Sequence, residues 1–235
     1  MTYIKILLII IHTTICSILA FTASIIDRSQ FLYFKISKIF SGGILLFGGV
    51  KLKISGLENL DKKAAYIFVS NHSSQFDIPT LQFAIPLKTS IVYKKELNKI
   101  PLFGWQMMAG PYIAVDRKNL ESAAKSIKIS KKYMSEKKWS ILLFAEGTRS
   151  KDGEVQPFKR GAFYLASRVG FPIVPVSISG AQKILPKGKL KIKGGTIHVH
   201  FDKPIITGNI SSRKDELDLM EKVREIVIQN IEKGS

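Results

Sequence analysis

Two short stretches of this 235-residue sequence hold residue types that could do chemistry together. The first is Asn71-His72-Ser73-Ser74-Gln75-Phe76-Asp77, in which His72 and Asp77 are five residues apart. Five steps of about 100° place them on different sides of a regular helix, so they cannot pair along one. They can pair if His72 closes a strand and Asp77 caps the helix that follows. Pro79, in the first turn of such a helix, fits that layout. A carboxylate held on one ring nitrogen fixes the imidazole tautomer and stabilises the imidazolium. The other nitrogen is then a general base able to take the proton of a hydroxyl attacking an acyl carbonyl. Alone the spacing is weak, because a solvent loop ending in a helix cap has it too.

The second stretch is Phe144-Ala145-Glu146-Gly147-Thr148-Arg149-Ser150, directly after the apolar run SILLF. Gly147 lets backbone approach a ligand closely. Arg149 offers a planar fork matched to phosphate oxygens, with the Thr148 and Ser150 hydroxyls beside it. Glu146 would orient Arg149 or meet the glycerol part of an acceptor. Two further cations, Arg117 after a short strand and Lys95 before Glu96-Leu97, are candidate phosphate ligands. Lys159 and Arg160, at the start of a short helix, could meet phosphate or lipid; a solvated helix face explains them equally well. Pro175, inside Ile173-Val174-Pro175-Val176, points to an edge strand or a bulge near the site.

These clusters fall at the ends of elements that the hydrophobic pattern predicts. Apolar runs over 64–70, 90–93, 112–115, 140–144, 172–178 and 196–201 read as strands. Helices are expected over 78–85, 119–139, 161–168 and 212–233, the last with Ser212 as N-cap. Strand and helix alternate, which predicts an α/β fold: a mixed, largely parallel sheet flanked by helices.

The N-terminal part is different. Residues 3–26 are almost entirely apolar, near the ~20 residues that cross a bilayer core. Asp27 to Gln30 break the run, and 31–50 is a second apolar stretch carrying Lys35, Lys38 and two Gly-Gly pairs. It reads as an amphipathic segment in the headgroup region. The expected organisation is a membrane-anchoring helical segment over 1–50 and a catalytic domain over 51–235. The long apolar run, with no small-residue cleavage site after it, argues against a secretory signal. Lysines downstream place the catalytic part on the cytoplasmic face of the inner or plasma membrane.

Charge narrows the partners. Lys and Arg number 36 against 18 Asp and Glu, a net charge of +18, which predicts a polyanion. The apolar N-terminus and the scatter of the basic residues point to anionic membrane lipids rather than nucleic acid. The single cysteine, Cys16, cannot form an internal disulfide, and no cluster has metal-ligand spacing. No Gly-x-Ser-x-Gly elbow suggests a serine acyl-enzyme.

Taken together and in order, NHSSQFD, the KEL…P-x-F-G…D-R stretch, FAEGTRS with FKRGAF, and IVPV resemble the glycerolipid acyltransferase family, which includes the lysophosphatidate acyltransferases. The resemblance covers about residues 50–205. It implies acyl transfer from a thioester of coenzyme A or acyl carrier protein to the sn-2 hydroxyl of lysophosphatidate, without metal or prosthetic group. It makes His72 the base and Asp77 its partner. Glu146, Gly147, Thr148 and Arg149 match the acceptor-phosphate motif, Arg117 the arginine that ends the second motif, and Pro175 the proline of the fourth. Ala145 stands where relatives often carry proline. Lyso-ornithine lipid and glycerol 3-phosphate stay open as alternative acceptors.

Overall fold

The computed structural model describes residues 2–116, 119–208, 210 and 212–233. Two helices, α1 (Thr2–Ile26) and α2 (Phe31–Gly48), precede strand β1 (Val50–Ser55). Then come β2 (Ile67–Ser70), α3 (Asp77–Ala84), β3 (Thr89–Lys94), α4 (Phe103–Ala109), β4 (Ile113–Val115), α5 (Leu120–Lys137) and β5 (Ser140–Phe144). The chain continues with α6 (Arg160–Val169), β6 (Ile173–Ser179), the short α7 (Ala181–Ile184), β7 (Gly195–Phe201) and α8 (Arg213–Lys233).

The strands form one seven-stranded sheet in the order β1-β7-β6-β2-β5-β3-β4. Only the β6–β7 pair is antiparallel. Both faces are covered, so the central strands are apolar throughout, as buried parallel strands must be. Side chains alternate between the faces. Phe68 and Leu142 pack towards α2, α3 and α7 with Leu81, Phe201 and Val199. Ile67, Val69, Ile141 and Leu143 pack the other way, with Met134, Phe163, Val223 and Val227 of α5, α6 and α8.

Most expected elements are present, with ends moved by a few residues. β2 starts at Ile67 rather than 64 because the Ala64 N–H turns back to Asp61 O. Ser212 caps α8 as expected: its Oγ accepts from Asp215 N at 3.1 Å, and Asp215 returns the bond to Ser212 N at 2.8 Å. Pro175 takes the second of its two expected settings, a bulge. It lies in β6, an interior strand between β7 and β2, not at an edge. The antiparallel pairing stops at Val176↔Phe201 and resumes at Ile173↔Ile205, so residues 174–175 face residues 202–204. One extra residue on the partner segment makes the bulge where the ring needs no ladder donor.

α1 and α2 pack as a helical hairpin. Gly43 permits the approach: a Cβ there would lie 2.1 Å from His12 Nε2. α1 is long and apolar enough to cross a membrane, and so is α2, by length and composition. On α1, Ile4, Leu7, Ile11, Ile15 and Leu19 stay exposed, while the small residues Cys16, Ser17, Ala20 and Ala23 are buried. α2 packs on α3 and β1. Lys38 Nζ donates to Phe83 O at 2.9 Å, and Ser41 Oγ to Gln82 Oε1 at 3.0 Å.

Candidate active site

The neighbouring parallel strands β2 and β5 end side by side, with Ser70 in register with Phe144. Ligands in open α/β sheets bind beyond such carboxyl ends. The loops after the two strands are stitched together: Ala145 N donates to Ser70 O at 3.2 Å, and Ser150 N to His72 O at 2.8 Å. The His72 and Glu146 segments, 74 residues apart in sequence, thus become one structure.

His72 Nδ1 lies 2.8 Å from Asp77 Oδ2. The same oxygen accepts from Ser73 N at 2.6 Å and Ser74 N at 2.8 Å. Asp77 is fully buried. It is the first residue of α3 rather than its cap, which corrects the expected layout. Its carboxylate turns back into the preceding tight turn and holds that turn and the imidazole with one oxygen. An acceptor on Nδ1 sets the Nδ1–H tautomer, leaving the Nε2 lone pair as base. The ring also stacks on Phe144, with centroids 4.2 Å apart. Asn71 secures the strand end beneath: its Nδ2 donates to Ile178 O and its Oδ1 accepts from Ile178 N, both at 2.9 Å. The side chain thereby adds a rung to the β2–β6 ladder, a positioning role the sequence did not single out.

Glu146 is buried, and its Oε1 accepts from the His72 main-chain N–H at 2.9 Å. It is not among the residues of the cavity wall, and its Oε1 braces the histidine loop. Burial raises its pKa to about 7, opposed by the bond from His72 N–H and reinforced by the charge of Asp77.

His72 opens on a cavity of about 700 Å³, within the size range of lipid and cofactor pockets. Gly147, Thr148, Arg149 and Lys159 line one part of it. Gly147 has φ +71°, and a Cβ there would come 3.1 Å from Lys159 Cδ, so glycine lets the loop and this lysine pack together. Lys187 Nζ fixes the Arg149 carbonyl at 2.6 Å. The rest of the wall is largely apolar. It is built from α1 and α2 (Cys16, Ala20, Phe40) and from Ile91, Phe103 and Met107. The apolar hairpin is therefore part of the site as well as a potential anchor.

One expected ligand lies elsewhere. Lys95 is exposed in the one-turn 3-10 helix Lys95–Lys99 and is not in the cavity wall; its neighbour Lys94 is, while also pairing with Glu96 at 3.1 Å. Arg117 lies outside the described residues.

Residues 51–179, which include both loops, match the family described as Acyltransferase. The chain belongs to that family. Among its relatives, the 1-acyl-sn-glycerol-3-phosphate acyltransferase of Limnanthes douglasii is 33% identical over 82% of this chain and 68% of its own length. The enzyme of the same name from Saccharomyces cerevisiae is 31% identical over 97% of this acyltransferase and 77% of its own length. A crystal structure of the 1-acyl-sn-glycerophosphate acyltransferase PlsC from Thermotoga maritima superposes with a TM-score of 0.80 at 25% identity. It covers 99% of this acyltransferase and 97% of that chain, so the likeness includes the N-terminal helices.

Proposed function

We propose that the protein is a 1-acyl-sn-glycerol-3-phosphate O-acyltransferase working at the cytoplasmic face of a membrane. Its donor is a fatty acyl thioester of coenzyme A or acyl carrier protein. The observation that carries this reading is the His72–Asp77 pair at a cavity with one cationic end and one apolar wall. The relatives' shared name supports the acceptor.

The chemistry follows from the groups present. His72 Nε2 removes the proton of the acceptor sn-2 hydroxyl as its oxygen attacks the thioester carbonyl. Asp77 stabilises the resulting imidazolium. Collapse of the tetrahedral species breaks the C–S bond and forms the ester, and the imidazolium returns the proton to the thiolate. Arg149 and Lys159 hold the acceptor phosphate so that the hydroxyl is aligned. Direct transfer of this kind needs no nucleophile, metal or prosthetic group from the protein.

The exposed apolar residues of α1 suit an amphiphilic acceptor. Extracting its tail into water would cost about 0.8 kcal/mol per CH₂. A membrane-held enzyme lets the tail pass from lipid to the apolar wall instead. The test is an assay of purified full-length protein on lysophosphatidate, lyso-ornithine lipid and glycerol 3-phosphate, with both thioesters. Lysophosphatidate is expected to give the highest kcat/KM. A clear preference for either other acceptor overturns the assignment while leaving the acyltransferase chemistry in place.

A further inference from the structure

Outside the active site, one surface segment combines charge and exposed apolar area in a way the catalytic reading does not use. Residues 183–193 carry five lysines, Lys183, Lys187, Lys189, Lys191 and Lys193, and no Asp or Glu occurs anywhere in residues 155–201. Lys189, Lys191 and Lys193 are exposed. Between them Leu190 is 79% exposed, whereas Ile192 is buried and roots the loop in the core. An apolar side chain held out in water between cations gains nothing in a purely aqueous setting. It is the pattern of a segment that meets a headgroup layer, with the apolar residue entering and the lysines at phosphate level.

The loop's place in the fold supports the same occupant. β7 runs antiparallel to β6, so its first residue lies at the end of the sheet where β2 and β5 deliver the active-site loops. There Gly195 N donates to Gly49 O at 3.1 Å, just beyond the last turn of α2. Lys5 Nζ, in the first turns of α1, donates to Gly48 O at 2.9 Å. Leu46, in the last turn of α2, is 73% exposed, and Ile4 is 63% exposed. One leg of the loop thus abuts the apolar helical hairpin. The other carries Lys187, bonded to Arg149 O at 2.6 Å and to Thr148 Oγ1 at 3.4 Å.

We propose that residues 186–193 form a second membrane contact, specific for anionic lipid, that sets the phosphate-binding loop at the headgroup plane through Lys187. Leu190 enters the interface, and Lys189, Lys191 and Lys193 engage lipid phosphates. The proposal rests on the reading of the protein as a membrane enzyme, but its test does not use activity.

Leu190→Cys, in a Cys16→Ser background of the full chain, carries a polarity-sensitive thiol dye. Lys222→Cys, exposed on α8, serves as the distant control. On vesicles of phosphatidylcholine with phosphatidylglycerol, the dye at 190 is expected to shift to the blue and to be quenched by spin-labelled lipid, while the dye at 222 keeps its aqueous spectrum. Adding Lys189→Glu, Lys191→Glu and Lys193→Glu should weaken that response about a hundredfold in lipid concentration at low salt, at roughly a factor of five per lysine removed. Phosphatidylcholine alone should give little response at 190. An aqueous dye at 190 on vesicles that have captured the protein overturns the proposal. So does a response that appears only with an acidic carrier protein, which would make the loop a donor-docking surface. Failure of the chain to bind either vesicle refutes the membrane reading itself.

Discussion

The main-chain N–H of His72 points at Glu146 Oε1, 2.9 Å away, while its side chain points at Asp77. The proposed base is therefore held by two buried carboxyl groups from different loops. One fixes the ring and the other fixes the backbone that carries it.

His72→Ala should lower kcat by about 10²–10⁴-fold, the usual span for loss of general base catalysis. Asp77→Asn keeps a carbonyl to accept the N–H groups of Ser73 and Ser74 but removes the charge that faces the imidazolium. Turnover should fall while the fold survives. Steady-state kinetics beside circular dichroism check both, and near-normal turnover in His72→Ala would sink the mechanism.

Arg149→Ala should raise the acceptor KM more than the thioester KM. A charge-assisted bond to phosphate contributes about 1.5–3 kcal/mol, equivalent to roughly 10–150-fold. A rise confined to the thioester KM would move Arg149 to the donor side.

Glu146 gives the protein a pH signature. Its folded pKa is about 7, against an ordinary value of 4.5, chiefly through burial and then through Asp77. Between these values the folded chain keeps a proton that the unfolded chain has lost, so stability falls as pH rises and levels off above about pH 7. Glu146→Gln cannot ionise and should lose this slope. Melting temperatures of both proteins in detergent, followed across that window, make the comparison; parallel curves would mean an unshifted Glu146.

Ala20 of α1 is buried and lines the cavity. Ala20→Phe should narrow the apolar part and cost about 1–3 kcal/mol through overpacking. Turnover on long-chain substrates should drop more than on short-chain ones. A uniform loss across chain lengths, scored as relative kcat/KM, would place the tail elsewhere.

The α/β sheet was legible in the sequence because the runs around Ile67–Ser70 and Ser140–Phe144 are bounded by polar loops whose residue types announce chemistry. The pairing of His72 with Asp77 across the turn into α3 was legible too. What was not legible depends on contacts between distant segments. Nothing local says that Glu146 reaches a backbone N–H 74 residues earlier. Asn71 gave no sign that it would extend a ladder to Ile178. Lys94 and Lys95 are chemically equivalent, and only the direction of a short turn decides which one lines the cavity. α1 hid its inner face for another reason: with apolar residues all round, hydrophobicity marks no direction. Its small residues Cys16, Ser17, Ala20 and Ala23, at helical spacing, were the available clue.

The sharing of one cavity wall by α1 and the catalytic loops limits how modular this enzyme can be. On the proposed membrane reading, an unrelated transmembrane helix grafted in place of residues 2–26 would keep the protein on lipid yet leave the pocket with the wrong lining. On that reading, lipid contact and pocket lining fall on different faces of the same helix. Changes on its outer side can follow the membrane, while changes on its inner side must follow the substrate.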